Sequence, residues 1–230
     1  MKNIVCITNF DNLSTSQYSL SSWELWCNKN NVELFILNQK ITNNPEIDKY
    51  FIFDLLDNEN IKYDQILLTN NLTIINPNTP NIFNKTNNKI CGVMYDSSYK
   101  EVLHSIQGYS ESNFNNFKFP YWEFINITLL IANKNHQKFF DKIKNTYIEL
   151  KNNNNLYSSI NLSHVYFNFI KYKEKIDFSI LPYEWNMHDI IRKEAINNLL
   201  FTEIGWIYQF DFLPQYRKQL MEQTYNKITQ

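Results

Sequence analysis

The sequence predicts an α/β fold with a mostly parallel central sheet flanked by helices. Short apolar runs alternate with segments of helical periodicity in the first third of the chain, and this β-α-β-α-β order is typical of a helix-covered parallel sheet. The 230 residues are 43% hydrophobic and 16% aromatic, which is enough for a substantial core. No repeat or linker divides the chain, so we expect a single domain over residues 1–230.

The first elements follow from apolar runs and helical spacing. Three short apolar runs predict strands, namely Ile4–Thr8, Val32–Leu37 and Asp64–Leu68. A helix is expected over Gln17–Asn30, where apolar residues recur at helical spacing: Leu20, Trp23 and Cys27. A second helix is expected over Asp48–Leu56, and its predicted inward-facing residues are Tyr50, Phe51 and Leu55.

The remainder of the chain continues the alternation. Further strands are predicted at Ile90–Tyr95, Ile127–Ala132 and Gly205–Phe210. Helices are predicted at Ser98–Ile106, Ile160–Ile170 and Tyr216–Ile228. One more helix is indicated by apolar residues on a single face, Phe139, Ile143, Tyr147 and Leu150.

Composition and charge exclude several classes of function. The net charge of −1 leaves no basic excess to hold a polyanion, so nucleic-acid binding is not expected. The cysteines Cys6, Cys27 and Cys91 are widely spaced and odd in number, which fits neither a zinc site nor a disulfide framework. No apolar run reaches the ~18 residues of a membrane span, and the first residues do not form a signal peptide. We therefore expect a cytoplasmic protein.

The ends of the predicted strands are where a ligand is expected. In open α/β sheets, ligands bind beyond the carboxyl ends of the strands. This rule indicates a crevice with rims at Thr8–Asp11, Asn70–Thr73 and Tyr95–Tyr99. The pattern by itself indicates a small-molecule site and does not define its chemistry.

The segment from Lys62 to Phe83 adds a more specific signal. It contains Tyr63-Asp64-Gln65-Ile66-Leu67, then Asn70-Asn71-Leu72, an apolar run, and Pro77 and Pro80 before Phe83. This arrangement resembles the central segment of GT-A glycosyltransferases, in which a strand, an Asp-x-Asp motif and a Pro-x-x-Pro-x-x-Phe pattern follow one another. Other segments resemble, in order, the glycogenin-like (family eight) branch and its small bacterial and viral relatives: Trp23–Leu37, Tyr50–Leu56, Phe119–Phe124, Leu181–Asn186 and Gly205–Phe210. The resemblance implies one Rossmann-like nucleotide-diphospho-sugar transferase domain.

The positions that hold a metal ion in that family differ here. Its two aspartates bind Mn²⁺ or Mg²⁺, which neutralises the diphosphate of the donor as that group leaves. The matching residues in this chain are Asn70 and Leu72, and Gln209 replaces a histidine that the family places in a Gly-Trp-x-Tyr-His-Phe context. The resemblance therefore implies a degenerate site, and we expect neither Mn²⁺ nor Mg²⁺ to bind.

Two further departures concern the region where sugar binds in the family. Asn126-Ile127-Thr128 stands where relatives carry Asn-Ser-Gly, and Ser163-His164 aligns with an Asp-Gln pair. The catalytic candidates that remain are Asn126, His164 and Glu123.

The resemblance also assigns candidate residues for a nucleotide-sugar pocket, which are Thr8, Lys49, Asn70, Asn71, Leu72, Arg192 and Gln209. Lys49 is alternatively a solvated helix residue. Arg192 either clamps phosphate or pairs with an acidic neighbour on a helix. Trp185 and Tyr183 are interpreted either as a stacking platform for an acceptor sugar or as ordinary core aromatics.

Three functional hypotheses follow. The first is metal-independent transfer from a nucleotide sugar, a UDP-sugar above all, to a glycan acceptor. The second is a non-catalytic sugar or nucleotide binder, or a partner subunit of an active glycosyltransferase. The third is an α/β domain unrelated to that family.

Overall fold

The computed structural model of the chain describes residues 2–10, 14–42, 44–95, 99–151, 162–190, 198–211 and 214–230. Arg192 and parts of the predicted crevice rims, residues 11 and 96–98, lie outside these ranges. The fold is α/β, as the sequence predicts.

A mixed six-stranded sheet forms the centre of the structure. Its strands are β1 (Lys2–Thr8), β2 (Glu33–Leu37), β3 (Tyr63–Asn70), β5 (Ile90–Met94), β6 (Ile125–Asn133) and β7 (Phe178–Leu181), while β4 (Thr73–Ile75) belongs to a second sheet. The order across the sheet is β2-β1-β3-β6-β5-β7, and β6 runs antiparallel to both of its neighbours. The other pairings are parallel. The sheet is therefore mostly parallel, with one reversed strand at an interior position.

Helices cover both faces of this sheet. They are α1 (Ser16–Asn30), α2 (Pro45–Asp48), α3 (Ile52–Asn58), α4 (Tyr99–Asn113), α5 (Gln137–Lys151), α6 (Leu162–Lys173) and α7 (Pro214–Thr229). Successive side chains of a strand point to opposite faces, so Ile4 and Cys6 pack in one core cluster while Val5 and Ile7 pack in the other. Every residue of β6 is buried because helices shield it on both sides.

A two-stranded sheet lies beside the central one and places the chain's late residues near the cleft described below. Strand β4 pairs antiparallel with β8 (Ile207–Gln209), and Thr73 is the register partner of Gln209. The predicted late strand thus exists, but it belongs to this small sheet. Its apolar face packs against α7.

The helical segment after β2 differs from the prediction in which residues face inward. A 3₁₀ turn over Lys49–Phe51 separates α2 from α3. A 3₁₀ helix has about 3.0 residues per turn, whereas an α-helix has 3.6, so the turn changes which of the following residues face the core. Tyr50 and Leu56 are buried as a result, whereas Leu55 is 40% exposed and Phe51 is half-buried. The inward placement of Leu55 was therefore wrong.

Candidate functional site

A cleft of about 260 Å³ opens where β1 and β3 end. The residues that line it are Thr8, Phe10, Glu46, Asn70, Asn71, Leu72, Tyr95, Thr128, His164 and Asp211. Thr8 and Asn70 are register partners in the last positions of their strands, so the cleft lies at carboxyl ends of parallel strands, where open α/β sheets bind ligands. The structure thus brings together four predicted pocket residues and one predicted catalytic candidate.

Asn70 and Leu72 occupy the cleft wall as a turn. The Asn70 side-chain oxygen accepts a hydrogen bond from the Leu72 backbone N–H at 3.0 Å, and its amide nitrogen donates to Glu46 at 3.3 Å. Leu72 is half-buried and presents an aliphatic side chain with no polar atom to the cleft. This pair forms an Asx-type turn with an apolar wall.

Asn71 ties the same turn to the first helix and to β1. Its amide nitrogen donates to Asn9 and to Ser16, each at 2.8 Å. Its backbone N–H donates to the Thr8 carbonyl at 3.0 Å. Asn71 is buried, so these bonds hold the floor of the cleft in one conformation.

Gln209 is the centre of a buried hydrogen-bond network. Its amide oxygen accepts from Asn126 at 3.0 Å and from Asn186 at 3.2 Å, and its amide nitrogen donates to the Thr128 hydroxyl at 3.1 Å and to the Asp211 carboxylate. A glutamine side chain has two donor hydrogens and two acceptor lone pairs. All four are used inside the protein, and Gln209 is only 1% exposed.

Asn126 and His164 lie together next to this network. Asn126 is fully buried; its side-chain oxygen accepts from the Thr128 backbone N–H at 2.9 Å and lies 3.4 Å from Nε2 of His164. His164 is 6% exposed and lines the cleft, and its Nδ1 has no hydrogen-bond partner. Burial lowers the pKa of His164 to about 4, against the opposing attraction of Glu46. The imidazole is therefore neutral at physiological pH.

A buried ion pair lies behind the cleft wall. Lys49 donates to the Glu46 carboxylate at 2.5 Å and to the Ile127 carbonyl. Burial lowers the pKa of Lys49, and Glu46 partly offsets that effect. Burial opposes ionisation of Glu46 as well, but Lys49 and the Asn70 hydrogen bond bring the pKa of Glu46 below its ordinary value. Lys49 is 1% exposed, which corrects the interpretation as a solvated lysine, and its charge is directed at Glu46.

Asp211 adds a second carboxylate to the cleft. Partial desolvation of the carboxyl group and the nearby Glu46 raise the pKa of Asp211, while the hydrogen bond from Gln209 lowers it. The main chain around it is held by Arg217, which donates to the carbonyls of Phe210 and Asp211 at 2.7 and 2.9 Å. Sequence reasoning missed both Asp211 and Glu46. A signal existed for each, since Asp211 is one residue beyond the Gly205–Phe210 segment and Glu46 precedes Lys49 by one helical turn.

Other predicted residues lie elsewhere. Glu123 belongs to a short 3₁₀ turn outside the cleft lining, where its carbonyl accepts from Lys171. Trp185 is 6% exposed and packs against Trp206, so its interpretation as a sugar platform was wrong and the core interpretation is confirmed. Arg192 is outside the described residues, and its predicted role stays a prediction.

The side-chain atoms of Asn70, Leu72 and Gln209, the residues that the resemblance aligns with metal ligands, do not fit a divalent cation. Leu72 has no ligand atom, Asn70 offers a neutral amide oxygen already bonded to a backbone N–H, and the Gln209 oxygen already accepts two bonds. Mg²⁺ and Mn²⁺ sites use carboxylate oxygens or imidazole. In the part of the chain that the structure describes, no group of three or more His, Cys, Asp or Glu side chains is arranged to hold a metal ion.

Several solved structures with a similar fold are glycosyltransferases. A glycosyltransferase involved in the glycosylation of the major capsid of PBCV-1 matches 97% of this chain and 100% of its own, with a TM-score of 0.64 and 10% identity. The bifunctional glycosyltransferase WbbM matches the whole chain at 12% identity and a TM-score of 0.58. GlyE of Streptococcus pneumoniae TIGR4 matches 99% of the chain at 11% identity and a TM-score of 0.52. The chain spans 51% of the WbbM chain and 62% of the GlyE chain.

These likenesses establish a GT-A glycosyltransferase fold over nearly the full chain. The hypothesis of an unrelated α/β domain is therefore wrong as to fold. No protein-family model and no curated protein matches the sequence. Within the described residues, no helix is both long and apolar enough to cross a membrane.

Proposed function

We propose that the chain is a glycosyltransferase-like protein of the nucleotide-sugar transferase type whose cleft engages a sugar ligand without a divalent metal. The observation that carries this proposal is the state of Gln209. Gln209 uses all four of its hydrogen-bonding positions within the protein, and its role in the site is therefore structural. Its partners are Asn126, Asn186, Thr128 and Asp211. A metal ligand would need its oxygen free.

A second, chemical observation favours reduced or absent metal-assisted catalysis. In metal-dependent sugar transfer, the cation neutralises the diphosphate leaving group. The Asn70–Leu72 turn supplies neither a carboxylate to hold such a cation nor a positive charge to replace it. We therefore favour a sugar-binding protein or a partner subunit of an active glycosyltransferase.

Metal-independent transfer from a nucleotide sugar to a glycan acceptor is the second candidate function. Its supporting observation is that Thr8, Asn70, Asn71 and Leu72, which the resemblance assigns to the donor pocket, all line one cleft. In this alternative Arg192 offsets the phosphate charge, and its replacement by Ala abolishes turnover.

The test measures release of UDP from UDP-glucose and UDP-galactose by the purified protein, with and without Mn²⁺. We expect no Mn²⁺-dependent release, and calorimetry with UDP is expected to show no affinity gain on adding Mn²⁺. Metal-stimulated turnover would contradict the proposal. Turnover that is independent of Mn²⁺ and lost in Arg192→Ala would favour the second candidate.

A further inference from the structure

The charges that face the cleft are all of one sign. Of the described residues that line it, Glu46 and Asp211 are acidic and none is a lysine or arginine. The nearest buried cation, Lys49, directs its ammonium at Glu46 and at a backbone carbonyl. Among the described residues that line the cleft, an anionic ligand would therefore meet two carboxylates and neither a lysine nor an arginine, a repulsive arrangement. Of the nearby described cations, Lys49 is engaged by Glu46, and Arg217 donates to the carbonyls of Phe210 and Asp211.

The same lining is rich in groups that suit hydroxyls. Carboxylate oxygens accept short, charge-assisted hydrogen bonds from O–H donors, and a carboxylate has about four acceptor positions. Glu46 uses its oxygens for Lys49 and Asn70, and Asp211 accepts from Gln209, so both retain acceptor capacity. A diphosphate brings acceptors only, whereas a sugar brings several donors.

An independent observation points to a ligand at this place. His164 is more than nine-tenths buried, lines the cleft, and has a ring nitrogen without any hydrogen-bond partner. A buried polar atom without a partner is costly, and such atoms are uncommon in folded proteins. Nδ1 has no accessible surface in this conformation, so a ligand hydroxyl would satisfy it once the imidazole ring turns towards the cleft, as donor or as acceptor according to the tautomer.

The size of the cleft agrees with a small ligand. Its 260 Å³ lie below the range of about 300–1,000 Å³ that holds drug-sized molecules. A single sugar ring is well below drug size and fits within such a volume.

From these observations we infer that the cleft selects a neutral sugar and rejects nucleoside diphosphates, with Glu46 and Asp211 accepting hydrogen bonds from the sugar's hydroxyls. This inference rests on the metal-free sugar-binding function proposed above and specifies its ligand class. It also identifies Asp211 as a specificity residue, because its charge favours the hydroxyl donors and opposes the phosphate.

Asp211→Asn tests the inference because the two ligand classes respond in opposite directions. Asparagine keeps an acceptor oxygen for Gln209 and removes the charge. Protein NMR titrations use methyl glycosides of glucose, galactose, mannose, xylose and N-acetylglucosamine, and UDP without metal. We expect at least one glycoside to bind saturably and more tightly than UDP. In Asp211→Asn its affinity is expected to fall about tenfold, as for loss of a charged hydrogen bond, while UDP affinity rises.

Two further variants keep the result interpretable. Asp177→Asn removes an exposed carboxylate that pairs with Lys89 outside the cleft, and is expected to change neither affinity. Leu72→Lys adds a cation to the cleft wall without removing a hydrogen bond, and is expected to strengthen UDP binding even if Asp211→Asn does not fold.

The outcomes separate this inference from the proposed function. UDP binding tighter than every glycoside without metal, or no glycoside binding at all, would overturn the ligand class and leave the absence of metal dependence intact. Mn²⁺-dependent UDP binding would overturn the proposed function itself. A parallel loss of both ligands in folded Asp211→Asn would show a structural role only, and would also overturn the assignment of specificity.

Discussion

Single carboxamide side chains organise the cleft. Asn70 and Asn71 hold the turn after β3, and Gln209 joins β6 to the small sheet through Asn126 and Thr128. Buried amides of this kind fix one arrangement because each unmet donor or acceptor costs about 1–3 kcal/mol. Asn70, Asn71 and Gln209 are therefore integral to the hydrogen-bond network of the cleft.

Gln209→His is expected to destabilise the protein by about 2–3 kcal/mol, because an imidazole satisfies at most two of the four partners and leaves others buried without a bond. Urea unfolding followed by circular dichroism measures this. Gln107→His, at an exposed position of α4, is the matched control and is expected to be near neutral. Equal stability of the two variants would show that the Gln209 network contributes little.

The hydrogen-bond network of Gln209 also affects whether a metal site can be engineered in the cleft. Asn70→Asp, Leu72→Asp and Gln209→His together restore the family's ligand types, and measurable Mn²⁺ affinity is expected only if the histidine leaves the network and faces the cleft. Calorimetry with Mn²⁺ on the folded triple variant decides this. Absence of any gain would mean either that the introduced histidine stays in the network or that the alignment of these three positions with the family motif is wrong.

At the scale of elements, sequence patterns predict long strands better than short ones. Long apolar runs were assigned correctly, as with Ile127–Ala132 inside β6. The short strands β4 and β7 were missed, because three or four residues carry no distinctive periodicity. Trp185 was ambiguous for a different reason: its burial depends on Trp206, which lies far away in the sequence and adjacent in space.

The turn that precedes β8 depends on close packing at Gly205. A Cβ atom there would lie 2.1 Å from the Met187 sulfur and 2.8 Å from a Tyr208 ring carbon. Tyr208 in turn donates its hydroxyl to the Gly205 carbonyl at 2.6 Å. Packing and this hydrogen bond therefore account for Gly205 and Tyr208 in the Gly-Trp-x-Tyr segment.

Gly205→Ala is therefore expected to lower the free energy of unfolding by about 1–3 kcal/mol, the usual cost of overpacking a core. Chemical denaturation measures the loss. In the double variant Met187→Ala, Gly205→Ala, the shorter residue at position 187 leaves room for the added methyl group. The loss of stability is therefore expected to be smaller than the sum of the losses in the two single variants. Strict additivity would contradict the proposed contact.

At the scale of the whole molecule, the fold was predictable and the site only in part. The β-α-β-α-β order predicts an α/β sheet, and the strand ends indicated Thr8 and Asn70, which both line the cleft. Glu46, His164 and Asp211 come from distant segments and meet only after the central sheet, α2, α6 and the small sheet have packed. Periodicity contains no information on that convergence, so two cleft carboxylates escaped the sequence analysis.

The burial of His164 among these elements links the stability of the whole fold to pH. Its pKa is lowered to about 4, with burial as the main cause; Glu46 opposes the shift, and Lys49 and His188 add to it. The unfolded chain binds the proton near pH 6.5, so this residue's contribution is fully present above pH 6.5 and is lost as the pH falls towards 4. Between pH 6.5 and 5 the expected loss is about 1.5 kcal/mol.

Urea unfolding of the wild type and of His164→Gln across that pH interval measures the loss. The window lies above the ordinary pKa of carboxylates, so Glu46 contributes little to the change. His136, whose pKa burial also lowers, is present in both proteins and cancels in the comparison. His104→Gln, at an exposed position of α4, should keep the wild-type slope. We expect His164→Gln to have the shallower dependence on pH, because only the wild type must bury a histidine that the unfolded state protonates; equal slopes would show that His164 is hydrated in the folded protein.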